Sequence, residues 1–339
     1  MKNPFKQVLA VTSDELVDMA FSDASTKADN LDFKVRKTRY GTTRMKGAEE
    51  MAQQKEGVRI STCANRFYNK LMSVVSSVPR KRDISEIYVV FAGELVGWDR
   101  IENAVSKIKK VANYNKKLQG RYLDKLKNAR NTSQMRQTRK EFYGRTVAGA
   151  KKVSRELKFL VDAFDILKNL PSLKECPTVI LAGLPNVGKT SLLKSLTGSK
   201  PEIKAYPFTT KGLMVGYFPH RYSEIQLIDT PGILDRKKRN MIEIHSQIAL
   251  NKIGSLVVYV FDISETCGYN LDQQMDFYKR LQSEVKKPII VAINKVDVKG
   301  VPAVGEIINK IGGIAVSCES GDGIDDLKKE IIKMIFSKK

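Results

Sequence analysis

The stretch Gly183-Leu-Pro-Asn-Val-Gly188-Lys189-Thr190 constrains the fold of this chain most, because it fits GxxxxGK[S/T] in the setting that gives the pattern meaning. It follows an apolar β-rich run, TVILA, and opens into the helical TSLLKSL. The glycines let backbone N–H groups wrap around phosphate oxygens, and the helix adds its positive end. Lys189 is expected to reach the β- and γ-phosphates and Thr190 to ligate Mg²⁺, with Asn186, Val187, Gly188 and Ser191 completing the nucleotide contacts. After Pro171, LMVGYF, IQLIDT, SLVVYVFD, PIIVAIN and GIAVSC are further β-rich runs, most of them separated by helix-length segments. Residues 171–339 are therefore expected to form an α/β P-loop domain, a mostly parallel sheet with helices on both faces. Ligands of such sheets bind at the carboxyl ends of the strands.

Three further motifs fall at strand ends. Asp229-Thr-Pro-Gly232 follows an apolar run; Asp229 is placed to hold the metal through water and the Gly232 N–H to touch a γ-phosphate. Between the loops lies AYPFTTKG, where either threonine could carry a hydroxyl to Mg²⁺ and spacing favours Thr210. Lys189, Thr210 and Gly232 make up the expected catalytic set. Asn294-Lys295-Val296-Asp297 ends PIIVAI, and a carboxylate there can accept both the ring N–H and the exocyclic amine of guanine. Adenine offers no such donors, so Asp297 is expected to reject it. Ser317-Cys318 ends the last strand, where a backbone N–H could meet the guanine carbonyl. The order of the four elements points to GTP and GDP rather than ATP.

One position departs from many nucleotide switches. After Gly232 comes Ile233, where a glutamine often orients the attacking water. Isoleucine cannot hydrogen-bond water, so slow hydrolysis, with help from elsewhere, is expected.

Residues 1–170 have a different texture. Thr12-Ser-Asp-Glu15 and Asp83-Ile-Ser-Glu86 read as capping boxes before apolar runs. From Asp99, Ile101, Val105, Ile108, Val111, Leu118, Tyr122 and Leu126 recur at mostly helical spacing. A turn is expected at Asn131-Thr132-Ser133, then one long stretch carrying Val147, Ala150, Val153, Leu157, Val161, Phe164 and Leu167 on one side. An all-α bundle is the expectation for 1–170. Its charge is distinctive: the chain carries +22, and residues 104–158 hold 17 basic against 3 acidic residues. That density suits a polyanion, with a solvated helical surface as the plainer reading. The loop KVRKTRYGTTRMKG, residues 34–47, is either a phosphate-backbone contact or a solvated linker. The four cysteines, 63, 176, 267 and 318, lie far apart without metal spacing. With neither an apolar run of membrane length nor a signal-peptide core, the expected setting is the cytoplasm, off the membrane.

The stretches PNVGKTSLL, KPEIKAYPFTTKG, IDTPGILDR and FDISETCGY together resemble the nucleolar GTP-binding protein (Nog) family of the Obg-HflX group. NPF near the start, FAGELVGWDRI and YGRTVAGAKKVSRELKFL extend the resemblance across the helical half, in the manner of short archaeal members. SCE stands where SAK is commoner in GTPases. The resemblance implies that a hydrophobic residue after DTPG is normal, that Asn186 can hold a potassium ion beside the phosphates, and that the partner is large-subunit ribosomal RNA or a pre-ribosomal particle. Asn186 could equally shape its loop through a local hydrogen bond. The basic Asp235–Asn240 stretch after the γ-phosphate sensor could read RNA or be an ordinary charged loop. The expected function is thus a GTP-hydrolysing switch in large-subunit assembly. Its rivals are a GTPase subunit of an RNA-modifying complex and a membrane-surface GTPase. Only two histidines, His220 and His245, occur, with no clustered catalytic set beyond the phosphate site, and pairing of G domains into a homodimer stays open.

Overall fold

Helical periodicity gives way to β-rich runs near Pro171, and in the computed structural model the last helix before the sheet ends at Leu167 and the first strand starts at Thr178. It describes residues 3–9, 11–31, 47–198, 201–204, 213–229, 252–299, 305, 308 and 312–337. The helices before the sheet are α1 (Ser13–Asp29), α2 (Ala48–Ser77), α3 (Glu86–Leu95), α4 (Trp98–Lys127), α5 (Thr132–Lys152) and α6 (Ser154–Leu167). The chain groups into two compact units. Pro4–Asp83 and Trp98–Asp165 make the helical unit, and Met1–Asn3, Ile84–Gly97 and Ile166–Lys339 make the other. Ile84–Gly97, which the sequence places in the helical half, thus groups with the sheet. There the Tyr88 hydroxyl donates to the Pro171 carbonyl at 3.1 Å, and Glu94 pairs with Lys252.

In the helical unit α1 starts at the expected capping box: the Glu15 N–H donates to Thr12 Oγ1 at 3.3 Å and the Thr12 N–H to Glu15 Oε2 at 2.9 Å. Leu16, Ala20, Ala24 and Ala28, four apart, are buried along α1. Three small side chains in that row let α2 pack closely, where it buries Ile60, Cys63, Ala64, Phe67 and Leu71. Each fully buried Phe, such as Phe67 or Phe142, contributes about 1.5–3 kcal/mol by leaving water. Helix α4 packs against both α2 and α5. Between two neighbours, Ala104, Ala112 and Asn115 turn inward beside Ile101, Ile108 and Leu118, while the expected Val105, Val111 and Tyr122 are only half-buried. The Asn115 amide donates to the Thr146 hydroxyl of α5 at 2.9 Å.

Three local expectations are corrected. Asn131 does not sit in a turn but caps α5, accepting from the Gln134 N–H at 2.9 Å. The long stretch after it breaks at Val153 into α5 and α6. Asp83 caps nothing: it ends a single 3₁₀ turn, Lys81–Asp83, and α3 starts at Glu86 behind Ser85.

The sheet comprises β1 (Thr178–Ala182), β2 (Glu202–Lys204), β3 (Leu213–His220), β4 (Ser223–Asp229), β5 (Leu256–Asp262), β6 (Ile289–Asn294) and β7 (Ile314–Ala315), with α7 (Lys189–Thr197), α8 (Leu271–Glu284) and α9 (Ile324–Phe336). Its order is β2-β3-β4-β1-β5-β6-β7. The run β4-β1-β5-β6-β7 is parallel, and β2 and β3 add antiparallel strands at one edge. Strands β1 and β5 are buried throughout, which explains their unbroken apolar sequence. Among the described residues, no helix is long and apolar enough to cross a membrane.

Candidate nucleotide-binding site

At the end of β1 the chain turns through residues 183–188 into α7. Gly183 has φ +145°, and a Cβ there would lie 2.6 Å from the Val260 carbonyl oxygen. Gly188 has φ +101°, and its Cβ would meet the Asn294 amide nitrogen at 2.1 Å. Both positions therefore require glycine on two counts. Asn186 between them also has positive φ, 64°, which asparagine tolerates better than most residues. The buried Lys189 curls back over this loop, its ammonium donating to the Gly183 and Leu184 carbonyls at 2.8 and 2.7 Å.

At the second residue of α7, the Thr190 hydroxyl donates to Asp229 Oδ2 at 2.6 Å. Asp229 ends β4 and is fully buried. Burial raises its pKa, opposed by the Thr190 hydrogen bond and the Lys189 charge. Its other oxygen, Oδ1, has no hydrogen-bond partner among the described residues. A buried carboxylate oxygen left bare beside an alcohol is costly by itself and suits a hard cation that takes oxygen ligands. Thr190 and Asp229 thus fit Mg²⁺.

The next strand ends supply a second region. Asn294, the last residue of β6, donates its amide to the Val187 carbonyl at 2.9 Å and accepts from the Cys318 N–H at 3.4 Å, tying the phosphate loop to the segment after β7. Lys295, at φ 62°, donates to Asp262 Oδ2 at 2.5 Å, Thr266 Oγ1 at 2.8 Å and the Asn186 carbonyl at 3.2 Å. A cavity of about 490 Å³ opens beside them, lined by Gly188, Ser191, Asn294, Lys295, Asp297 and Cys318 among others. Ser317 is buried; its N–H is taken by the Asp322 carbonyl at 2.9 Å, and its hydroxyl accepts from the Glu319 and Ser320 N–H groups. It shapes the loop. Cys318 lines the cavity, its thiol pushed up to about 11 by burial. Thr210, Gly232 and Ile233, with most of the basic 34–47 loop and all of 235–240, lie outside the described residues.

Two residues were not singled out from the sequence. Asp262, at the end of β5, is fully buried and accepts from the Ser264 and Cys267 N–H groups, the Ser264 and Thr266 hydroxyls and Lys295. Burial would raise its pKa, but the Lys295 and Ser264 hydrogen bonds and the other donors outweigh it and hold the carboxylate below its usual range. Gln274 of α8 closes the network, bonding both the Asp262 N–H and its carbonyl. An aspartate followed two residues on by serine carries the sequence pattern of a local side-chain turn. Gln274 offers no such signal, because only the fold brings it there.

The family model for 50S ribosome-binding GTPases matches residues 178–295, and that for the NOG1 N-terminal helical domain matches residues 5–174. The chain belongs to the nucleolar GTP-binding protein family. An uncharacterized protein of Methanocaldococcus jannaschii is 40% identical over 70% of this chain and 68% of its own length. Nucleolar GTP-binding protein 1 of Encephalitozoon cuniculi is 32% identical over 80% of this chain and 53% of its own. A solved structure of a nucleolar GTP-binding protein 1 from Plasmodium falciparum is 29% identical, covering 50% of this chain and 91% of that one, with a TM-score of 0.44. The chain spans about half the length of the Encephalitozoon relative and 36% of the one in Dictyostelium discoideum. The matched model makes residues 178–295, where these strand ends lie, part of a GTPase domain.

Proposed function

We propose that the chain is a GTP-hydrolysing switch in large ribosomal subunit assembly, its basic helical unit docking on ribosomal RNA or a pre-ribosomal particle. The observation that carries the nucleotide half is the convergence at strand ends of the Gly183–Thr190 loop, the Thr190–Asp229 pair and the cavity at Asp297. Val187, Gly188, Lys189, Thr190 and Ser191 would hold the phosphates, and Asn294, Lys295, Asp297, Ser317 and Cys318 would form the guanine end. Thr190 and Asp229, joined by Thr210, would hold Mg²⁺, which when bound neutralises charge on the phosphate oxygens. Gly232 would sense the γ-phosphate. The RNA half is supported by the charge of residues 104–158 and by the ribosome-binding GTPase model that the second unit matches.

With Ile233 in place of a glutamine, the intrinsic rate is slow, and assistance comes from the ribosomal partner or from potassium held at Asn186. Cytoplasmic action follows the same reading. The test is single-turnover GTP hydrolysis in potassium buffer, with and without purified large ribosomal subunits. A stimulation of about 10³-fold or more, the scale of trans-acting groups, is expected. The same slow rate throughout would overturn the ribosomal assignment, and equal rates in potassium and sodium would remove the cation.

A further inference from the structure

The cations of α4 differ in what they meet: Arg100 rests over the Phe159 ring and Lys116 donates to the Asn65 side chain. Lys107, Lys125 and Lys127 each pair with a carboxylate, from Glu156, Glu141 and Asp124 respectively. Lys110, Lys117 and Arg121 are exposed, and among the described residues no carboxylate lies within ion-pair distance of them. They occur at spacings that put all three on one outward face, over about 16 Å of helix. In the middle of that face is Tyr114, 53% exposed. Unlike Tyr143, whose ring stacks on Phe21, or Tyr122, which Phe142 meets edge-on, Tyr114 has no aromatic or cation partner among the described residues. A large ring kept in water between unpaired cations is not core material.

We propose that this face of α4 binds an unpaired RNA segment, with one base stacked on Tyr114 and neighbouring phosphates on Lys110, Lys117 and Arg121. The inference rests on the RNA-docking reading and adds the face and the kind of RNA. A base paired within an A-form duplex offers no free ring face to an aromatic side chain, whereas single strands and bulges do. A lipid surface fits poorly, because insertion needs an apolar stripe and this face carries a lone phenol among charges.

The full-length chain would be titrated with a labelled twelve-nucleotide oligouridylate, a blunt twelve-pair RNA duplex and phosphatidylserine vesicles, over a range of KCl. Tyr114→Ala is expected to weaken oligouridylate binding about tenfold and leave the duplex unchanged, with Tyr114→Phe close to wild type. Replacing Lys110, Lys117 and Arg121 together by Gln should weaken both RNAs and lower the single-strand salt slope by about 2. All four side chains are exposed, so melting temperatures should stay at the wild-type value. Undiminished oligouridylate binding by Tyr114→Ala, with a steep salt slope in the wild type, would overturn the stacking site while leaving RNA docking standing. Binding by the wild type to vesicles but to neither RNA would overturn both.

Discussion

Asp297 and Asp262 show how differently two carboxylates serve one site. Asp297 lines the cavity, where guanine's two donors would find it. Asp297→Asn exchanges an acceptor for a donor and is expected to lower GDP affinity by about 10²-fold or more, while xanthosine diphosphate gains. Competition between the two nucleotides would measure it, and unchanged guanine preference would remove Asp297 from base recognition. Asp262 lies behind the cavity lining; it fixes Lys295, which in turn reaches the Asn186 carbonyl of the phosphate loop. Asp262→Asn should weaken GDP binding about tenfold, the scale of one charged hydrogen bond. Fluorescent-nucleotide titration would test this, and full affinity would confine Asp262 to shaping its own loop.

Among the elements, α2 and α5 share a buried charge cluster. Glu56, 4% exposed, is approached by Arg59 at 3.1 Å and Arg139 at 2.6 Å, and Arg139 also rests over the Tyr143 ring. Arg139→Ala would strip a partner from a buried carboxylate and is expected to cost about 3 kcal/mol in urea unfolding. Replacing Glu56 and Arg139 together by Leu should cost less, since no buried carboxylate is stranded and Arg59 keeps Asp29 at 3.0 Å; the reverse ranking would count against the cluster. In the sheet, Gly216 of β3 faces α7 so closely that a Cβ would lie 2.6 Å from Thr197 Cγ2. Gly216→Val is expected to destabilise by about 1–3 kcal/mol through overpacking, read as a lowered melting temperature.

At the scale of the whole molecule, both units hold protons tightly at high pH. Burial raises Cys63 and Tyr143 in the helical unit to about 12, and Tyr217 in the sheet unit to about 12. Unfolded, these groups would ionise near 9 for the thiol and 10 for the phenols. The folded state therefore binds more protons between those values and about 12, so their stabilisation is full below about pH 9 and is lost as pH rises toward 12. Melting temperatures across this window should fall, and less steeply in a Cys63→Ala, Tyr143→Phe variant. Parallel slopes would show that these groups titrate alike in both states.

The phosphate loop, the strand ends carrying Asp229 and Asn294, and the capped start of α1 were legible in the sequence because each depends on nearest neighbours. Glycines at 183 and 188 answer a local demand for positive φ, and Thr12 and Glu15 reach each other across one helical turn. The nucleotide chemistry and the helical, basic first half followed from such local rules. Only the tertiary structure decided that Asp262 and Gln274 would brace Lys295, that Ile84–Gly97 would join the sheet unit, and that alanines rather than valines would face inward on α4. Each of those outcomes depends on which distant segment arrives as a neighbour and how much room it leaves, and periodicity within one segment carries no record of either.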